Sequence, residues 1–224
     1  MGPGDHKCHE GQKRIATEKV RDKHDVIIVQ EKVDGSNVGI AKIDGRLYPL
    51  TRAGYIASSS PYEQHWRFGE WVYRHQQRFL DLLEDGERLC GEWLMQAHGT
   101  RYAIKDDDPF VAFDLMRGDV RLPWGQLVER VLPYDVACPC VLHVGGPYSI
   151  EAALEAITTS GHGALDPVEG AVWRVERHEL IDPKRGGARA LKVDFLAKYV
   201  RPDKQDGTYL PSVTGKDPVW NWYP

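Results

Sequence analysis

The chain has 224 residues, 42% of them hydrophobic and 28% charged, an ordinary balance for a globular protein and enough length for one large domain with a substantial core. It contains no apolar run near the roughly 20 residues that span a bilayer, and its polar first ten residues lack the apolar stretch of a secretory signal, so a cytoplasmic protein that meets no membrane is expected. The formal net charge of −4 excludes attachment to nucleic acid by bulk electrostatics, and any such contact must be local.

In chain order, residues 26–29 are a short β-branched run that leads into Glu31-Lys32-Val33-Asp34-Gly35-Ser36-Asn37. Strands are expected over 38–43 and 46–50, because Asp44-Gly45 between two such runs is a strong hairpin signal. Ser60-Pro61-Tyr62-Glu63 predicts a helix start, combining an N-cap, a proline at the first helical position and a capping-box glutamate. Tyr62, Trp66, Tyr73, Leu80 and Leu83 recur at helical intervals and predict its buried face, which Asp85-Gly86 ends. Residues 88–96 and 110–116 read as strands, Gly118-Asp119 as a turn, 124–132 and 150–157 as short helices, and 170–176 and 189–193 as strands again. Hairpin-joined strands with helices inserted between them imply the α+β class, with mainly antiparallel sheets and flanking helices. Neither a Gly-x-Gly-x-x-Gly nor a P-loop pattern occurs, so a nucleotide would be handled without either.

Cys8, Cys90, Cys138 and Cys140 are too scattered for a disulfide framework. Cys138-Pro139-Cys140 with His143 resembles part of a zinc site that would draw a further ligand from Cys8 or His9, but residues 136–144 read more simply as a buried strand. The stretch 184–204 carries Lys184, Arg185, Arg189, Lys192, Lys198, Arg201 and Lys204 against only Asp194 and Asp203, which is either a local phosphate contact or a solvated basic loop. The terminal Trp220-Asn221-Trp222-Tyr223-Pro224 reads as a segment that packs back onto its own domain, with docking to a partner as the alternative.

Lys32-Val33-Asp34-Gly35 resembles the lysine-x-aspartate-glycine nucleophile motif of the covalent nucleotidyltransferases, which are the DNA ligases, RNA ligases and mRNA capping enzymes. Further segments follow in that family's order. Thr51-Arg52-Ala53-Gly54 resembles its arginine-glycine element, Gly91-Glu92-Trp93 its glycine-glutamate strand, and residues 110–114 the aromatic strand that lines the adenine pocket, with Phe113 as the stacking residue. Glu169-Gly170-Ala171-Val172 resembles the fourth motif and Ala190-Leu191-Lys192 the fifth. One short motif occurs often by chance, but the shared order does not. Asn37 after Asp34-Gly35-Ser36, and the run from Gly91-Glu92 through His98 and Tyr102 to Phe113-Asp114, are similar to the RNA ligase 2-like branch known from phage RNA repair.

The resemblance implies one nucleotidyltransferase (adenylation) domain over residues 1–224 and an ATP-dependent RNA ligase in which Lys32 carries AMP. It implies Lys32, Glu92, Glu169 and Lys192 as catalytic groups. Around the nucleotide it implies Glu31, Lys32, Val33, Asp34, Gly35, Asn37, Arg52, Glu92, Phe113, Glu169, Lys192 and Lys198. The cofactors would be ATP and Mg²⁺ or Mn²⁺, the metal held by Glu92 and Glu169 directly or through water, and the partners RNA ends, nicked or broken. DNA ligase, capping-type nucleotidyltransferase and a ligase-derived end-binding protein without chemistry are the alternatives.

The residue types suit the chemistry independently of the family. A nucleophilic lysine must be neutral, whereas an unperturbed one has a pKa of about 10.4; nearby positive charge and desolvation lower it. Lys192 facing the same phosphate, a divalent cation on hard carboxylate oxygens, and Lys198 would supply fixed positive charge to the reacting phosphoryl group. Gly35 and Gly170 would let the backbone approach the nucleotide, and Arg52 can fork onto a phosphate. Two departures stand out. Asp194 occupies the position where the family often has a second lysine, and the chain ends soon after Lys198, leaving no room for the usual C-terminal domain, so either this domain acts alone or a protein partner supplies that surface.

Overall fold

The β-branched run is the centre of a sheet. In the computed structural model, which describes residues 8–104, 108–157, 159–180, 188–205 and 207–223, it forms β1 (Asp25–Lys32). Lys184, Arg185 and Pro224 lie outside the described residues. The remaining strands are β2 (Ser36–Ile43), β3 (Arg46–Thr51), β4 (Glu87–Trp93), β5 (Phe110–Arg117), β6 (Val120–Arg121), β7 (Val141–Gly145), β8 (Gly170–Leu180) and β9 (Arg189–Val200). The helices are α1 (Glu10–Thr17), α2 (Glu63–Arg74), α3 (Gln76–Leu82), α4 (Trp124–Val131), α5 (Ile150–Ala156) and α6 (Pro211–Thr214). Pairings between these strands are all antiparallel, so the class is α+β, as the hairpin pattern predicts. No helix among the described residues is long and apolar enough to cross a membrane.

The chain divides into two compact units. The first, residues 1–33 and 139–206, holds a sheet of order β7-β1-β8-β9. Side chains alternate between the faces of a strand. Ile27, Val29, Ala171, Trp173 and Val175 therefore share one face, packed with Ala16 of α1, Ala153 of α5 and Phe195, Ala197 and Tyr199 of β9. Residues 28, 30 and 32 look the other way.

The second unit, residues 34–138 and 207–224, holds a sheet of order β3-β2-β4-β5-β6. Asp44 (φ 49°) and Gly45 (φ 70°) make the two-residue turn between β2 and β3, the left-handed pair that such hairpins require. Val38, Ile40, Leu89, Trp93, Phe110, Ala112 and Leu115 face the core, covered by Phe68, Trp71, Val72, Phe79 and Leu82 of α2 and α3. The aromatic tail packs back onto this unit. Asn221 N donates to Met95 O at 2.8 Å, Asn221 Nδ2 to Leu94 O at 2.8 Å, and Trp222 meets Trp93 edge-on with centroids 6.1 Å apart.

The structure corrects the predicted long helix in two ways. The helix begins at Glu63, three residues after the expected N-cap, because the Ser60 hydroxyl is engaged by His65 Nδ1 at 2.6 Å and Tyr62 N at 3.3 Å instead. The predicted face also points outward at Tyr62, Trp66 and Tyr73, which are 60%, 47% and 52% exposed. The core takes the parallel stripe Gln64, Phe68, Trp71 and Val72, and a break at His75 resets the phase for Phe79 and Leu82. The sequence holds two aromatic stripes, and helical spacing alone does not say which is inside. The predicted buried strand near 136–144 is β7, which among the described residues is an edge strand paired with β1, with Val141 and Val144 exposed. The helix α1 carries no signal strong enough to predict it, and β9 runs on to Val200 because Phe195, Ala197 and Tyr199 continue the alternation.

Candidate functional site

Lys32 is the last residue of β1, directly opposite Gly170, the first of β8. Its Nζ donates to Glu169 Oε2 in an ion pair whose side chains are 18% and 11% exposed. The Glu169 carbonyl accepts from Arg201 N at 2.9 Å, which fixes the turn into β8 against the exit from β9. Gly170 has a steric reason to be glycine before any nucleotide is considered: a Cβ there would lie 2.0 Å from the Tyr199 carbonyl oxygen. On β9, Lys198 pairs with Val172 and Val200 with Gly170, so Lys198 shares the face of Lys32, one pleat along. Arg174 and Glu176, each 1% exposed and 3.8 Å apart, lie further along that face.

Glu31 is different. The alternation puts its side chain on the opposite face from Lys32, where it is 2% exposed and accepts from the Ser160 hydroxyl and from Gly161 N at 2.9 Å. Its own N donates to Cys140 O at 2.9 Å. Beside this clasp, burial pushes the His162 imidazole below its ordinary pKa against the opposing pull of Glu31. The Ser160 to His162 loop has no motif, and its partner is more than a hundred residues earlier, so the sequence gives no sign of it.

Lys192 does not stand with Lys32. It pairs with Arg177, which pairs with Asp25 at the other end of β1, and seven strand residues correspond to roughly 23 Å. It also lies on the opposite face, and its Nζ reaches Glu179 at 3.2 Å in an exposed pair. The expectation that Lys192 faces the same phosphate as Lys32 is therefore corrected; Lys198 occupies that end of the sheet. Asp194 is the extra residue of a β-bulge, between Val193 opposite Glu176 and Phe195 opposite Val175. Its carboxylate accepts from Arg21 at 2.6 Å.

In the second unit Asp34, 6% exposed, is built into its own framework. Its carboxylate accepts from Gly99 N and the Thr100 hydroxyl, both at 2.9 Å, and its N donates to the Tyr102 hydroxyl at 2.9 Å. Tyr102 is thus a buried anchor, 2% exposed, and His98 is half-buried against Gln64 Oε1 at 3.1 Å. Gly35 N donates to Glu92 Oε1 at 3.0 Å, and a Cβ at Gly35 would lie 2.6 Å from the Trp93 carbonyl. Asn37 and Glu92 are direct cross-strand partners, on the face away from the aromatic core. Phe113 joins them. Cys90 pairs with Asp114 and Gly91 with Ala112, so Phe113 is the extra residue of a bulge, the device that re-aims a side chain, and it is half-buried outside the packed cluster. Gly91 is required by that packing, since a Cβ would meet the Phe110 ring at 2.4 Å. Arg52 is exposed and leaves β3 just after Thr51, the partner of Val38, hence at the Asn37 end of the sheet.

A contact with no sequence signal ties the nucleophile motif to the segment before α2. His65 Nε2 lies 2.8 Å from the Ser36 hydroxyl and His65 Nδ1 2.6 Å from that of Ser60. Burial, and then His98, hold its pKa below the ordinary histidine value, so the ring is neutral near pH 7, bridging two hydroxyls.

Among the described residues no group of three His, Cys, Asp or Glu side chains is arranged to hold a metal, and this includes the surroundings of Cys138, Cys140 and His143. Glu169 and Glu92, one in each unit, offer hard oxygens. A Mg²⁺ or Mn²⁺ ion that used either would take most of its ligands from water and phosphate, which is how Mg²⁺ is usually bound.

These two antiparallel sheets with flanking helices are the architecture of RNA ligase nucleotidyltransferase domains. A family model described as RNA ligase matches residues 25–200, from β1 to β9, and the chain belongs to that family. A mutant Naegleria gruberi RNA ligase, solved with AMP and Mn, is 15% identical with a TM-score of 0.51, over 80% of this chain and 50% of that one; it shares the fold. A form of an archaeal ATP-dependent RNA ligase is 23% identical with a TM-score of 0.41, over 79% of this chain and 42% of that one. Uncharacterized protein MJ0414 of Methanocaldococcus jannaschii is 53% identical over 89 residues, 38% of this chain and 20% of that protein. The chain thus spans about a fifth of this curated relative and at most about half of these solved ones.

Proposed function

We propose that the protein is an ATP-dependent RNA ligase and that Lys32 carries AMP. The observation that supports this most is Lys32 at the very end of β1, paired with Glu169, while Lys198 stands on the same face of the sheet one pleat along. In the reaction, the neutral Lys32 amine attacks the α-phosphorus of ATP, a P–N bond forms, the P–O bond to pyrophosphate breaks, and the amine proton leaves to solvent. A 5′-phosphate oxygen of RNA then displaces the lysine, and a 3′-hydroxyl displaces AMP to seal the strand. Lys198 supplies fixed positive charge to the phosphoryl oxygens, the role first expected of Lys192. A divalent ion, when bound, would add Lewis-acid stabilisation of the same oxygens.

An ammonium paired with a carboxylate is no nucleophile, so Glu169 must part from Lys32 before attack, and its carboxylate would then help to hold the divalent ion, directly or through water. Asn37, Glu92 and Phe113 share one sheet face, suited to ribose and adenine, while Arg52 suits a phosphate. Asp34 acts by holding residues 99–102 in place, and Glu31 by clasping the Ser160 loop. In this reading residues 1–224 serve as one nucleotidyltransferase domain acting on RNA ends, alongside further surface from a partner or a longer chain.

Intact-mass measurement after incubation with ATP and Mg²⁺ tests this. An AMP adduct is expected, absent in Lys32→Ala with the fold preserved. An adduct that survives in the alanine variant refutes the assignment, and an adduct with GTP alone moves the protein to capping chemistry.

A further inference from the structure

Every exposed aromatic side chain among the described residues belongs to the second unit: Tyr55, Tyr62, Trp66, Tyr73 and Tyr223. Four of the five fall within residues 55–73. On α2 the spacing of Tyr62, Trp66 and Tyr73 puts them within about 40° of one another at 100° per residue, a stripe about 16 Å long at 1.5 Å rise. The core uses the other stripe of this helix; Trp66 Nε1 donates to Ser60 O at 2.5 Å and Tyr62 meets His65 edge-on at 5.8 Å, yet all three rings of the stripe stay about half exposed. Tyr223 extends the surface sideways, its ring 5.3 Å from the Arg67 guanidinium.

The charge around the stripe identifies its occupant. Between residues 46 and 80 there are five arginines and two glutamates, with no lysine or aspartate, in a chain whose net charge is −4. Both glutamates, Glu63 and Glu70, are held by Arg67, at 3.1 and 3.5 Å. Arg46, Arg52 and Arg74 are exposed and form no ion pair among the described residues. Arg74 follows Tyr73 in the chain, and Arg46 precedes Leu47, whose carbonyl accepts from the Tyr73 hydroxyl at 3.4 Å. At the other end of the helix, Ser60 and His65 tie the start of the stripe to Ser36 of the nucleophile motif. Aromatic faces interleaved with unpaired cations are what a single-stranded nucleic acid requires, because every base has a π-face and every linkage a negative charge. We infer that the Tyr62, Trp66 and Tyr73 stripe, with Arg74 and Tyr223, is a stacking platform for single-stranded RNA on the unit that carries Ser36, Asn37 and Glu92. The choice of RNA rests on the ligase reading.

The test measures binding of fluorescent uridine and adenosine 12-mers, by anisotropy, to the full chain. Trp66→Ala and Tyr62→Ala should each weaken binding about tenfold, within the range seen when a stacking residue is truncated. Trp66→Phe should keep it within about threefold, and Trp66→Leu should lose it as alanine does. Arg74→Ala should lower the slope of log affinity against log salt by about 0.7, one phosphate's share for a single strand. Formation of the AMP adduct from ATP should be unchanged in all these variants. Affinity unchanged by alanine, or retained by leucine but not alanine, would overturn the proposal, the second result pointing to an apolar protein contact. A wild-type dimer in sedimentation that Trp66→Ala dissolves would also overturn it, assigning the face to a second copy. If wild type forms no adduct while the alanine variants still lose RNA, the ligase reading fails and the platform stands.

Discussion

In the first unit, the sheet that carries Lys32 is tied at its far end by charge. Arg21 meets Asp25 at 2.7 Å and Asp194 at 2.6 Å, and Arg177 meets Asp22 at 2.6 Å and Asp25 at 2.7 Å. In the second unit, the sheet that carries Asn37, Glu92 and Phe113 is backed by Phe68, Trp71, Phe79, Trp93 and Phe110. Neighbouring ring centroids there are 5.3 to 6.5 Å apart. Dispersion and apolar burial are indifferent to pH, whereas ion pairs are not. The two halves of the nominated residue set are therefore held by forces that fail under different conditions, and substitutions can separate them.

The largest effect should come from the aromatic core. Trp93→Ala should destabilise the second unit by about 3–5 kcal/mol, as for other buried aromatic truncations, read from urea unfolding; a loss below about 1 kcal/mol would show the cluster to be loosely packed. Next, Glu169→Ala should slow AMP-adduct formation on the order of a hundredfold or more, the scale of losing one preorganised electrostatic group, with stability little changed. Rapid-quench labelling with radioactive ATP would show it, and a wild-type rate would remove Glu169 from the chemistry.

Acid should act mainly on the first unit. Arg177 and the His24 amide hold the Asp22 carboxyl down to about 2, from an ordinary 3.8. Burial pushes Asp25 up, but Arg21 and Arg177 outweigh it and leave it below its ordinary value. A carboxyl depressed in the folded state contributes fully above its unfolded pKa, and the contribution is lost as pH falls through the folded one. Stability of the first unit should therefore decline from about pH 4 towards pH 2, seen as faster amide exchange in β1 and β8. In the second unit, Glu87 behaves alike, held down against burial by the Glu84 amide, Arg117 and Arg130, so β4 should respond near Glu87 but not near Glu92. Equal acceleration throughout β2 and β4 would erase the contrast.

The smallest effects are expected at the fifth motif. Asp194→Lys would remove a half-exposed pair with Arg21 and set two cations together, costing about 0.5–1 kcal/mol, with adduct formation unchanged. Lys192→Ala should leave both stability and adduct formation within twofold of wild type. A severe loss in Lys192→Ala would mean that the strand register does not govern the site.

That last pair shows where the sequence stops being informative. Order along the chain singles out Lys32 and Glu169, which the structure pairs, and the Asp44-Gly45 turn, because each signal lies within a few residues. Lys192 depends on register, which slips by one at the bulge beside Asp194 and which no local pattern encodes. The same holds for Phe113, whose bulge is set by pairing with β4. The stripe of Tyr62, Trp66 and Tyr73 was legible as helical but not as outward-facing, since that choice belongs to Phe68 and Trp71 packing on Trp93 and Phe110. The Glu31 clasp and the His65 bridge join residues far apart in sequence and leave no local trace.

The antiparallel partners of β1 are β7 and β8, both encoded late. During synthesis the strand ending at Lys32 leaves the ribosome about 110 residues before β7 begins, a wait of roughly 5–20 s at about 5–20 residues per second. The strands β2, β3, β4 and β5 meet their neighbours well before then. Ile27, Ile28 and Val29, fully covered in the finished sheet, are in the meantime a bare β-branched edge with both sides unpaired. The nascent chain is thus most exposed to mispairing at the very segment that ends in Lys32, and a polypeptide that stalls before residue 141 would carry that lysine with no sheet around it.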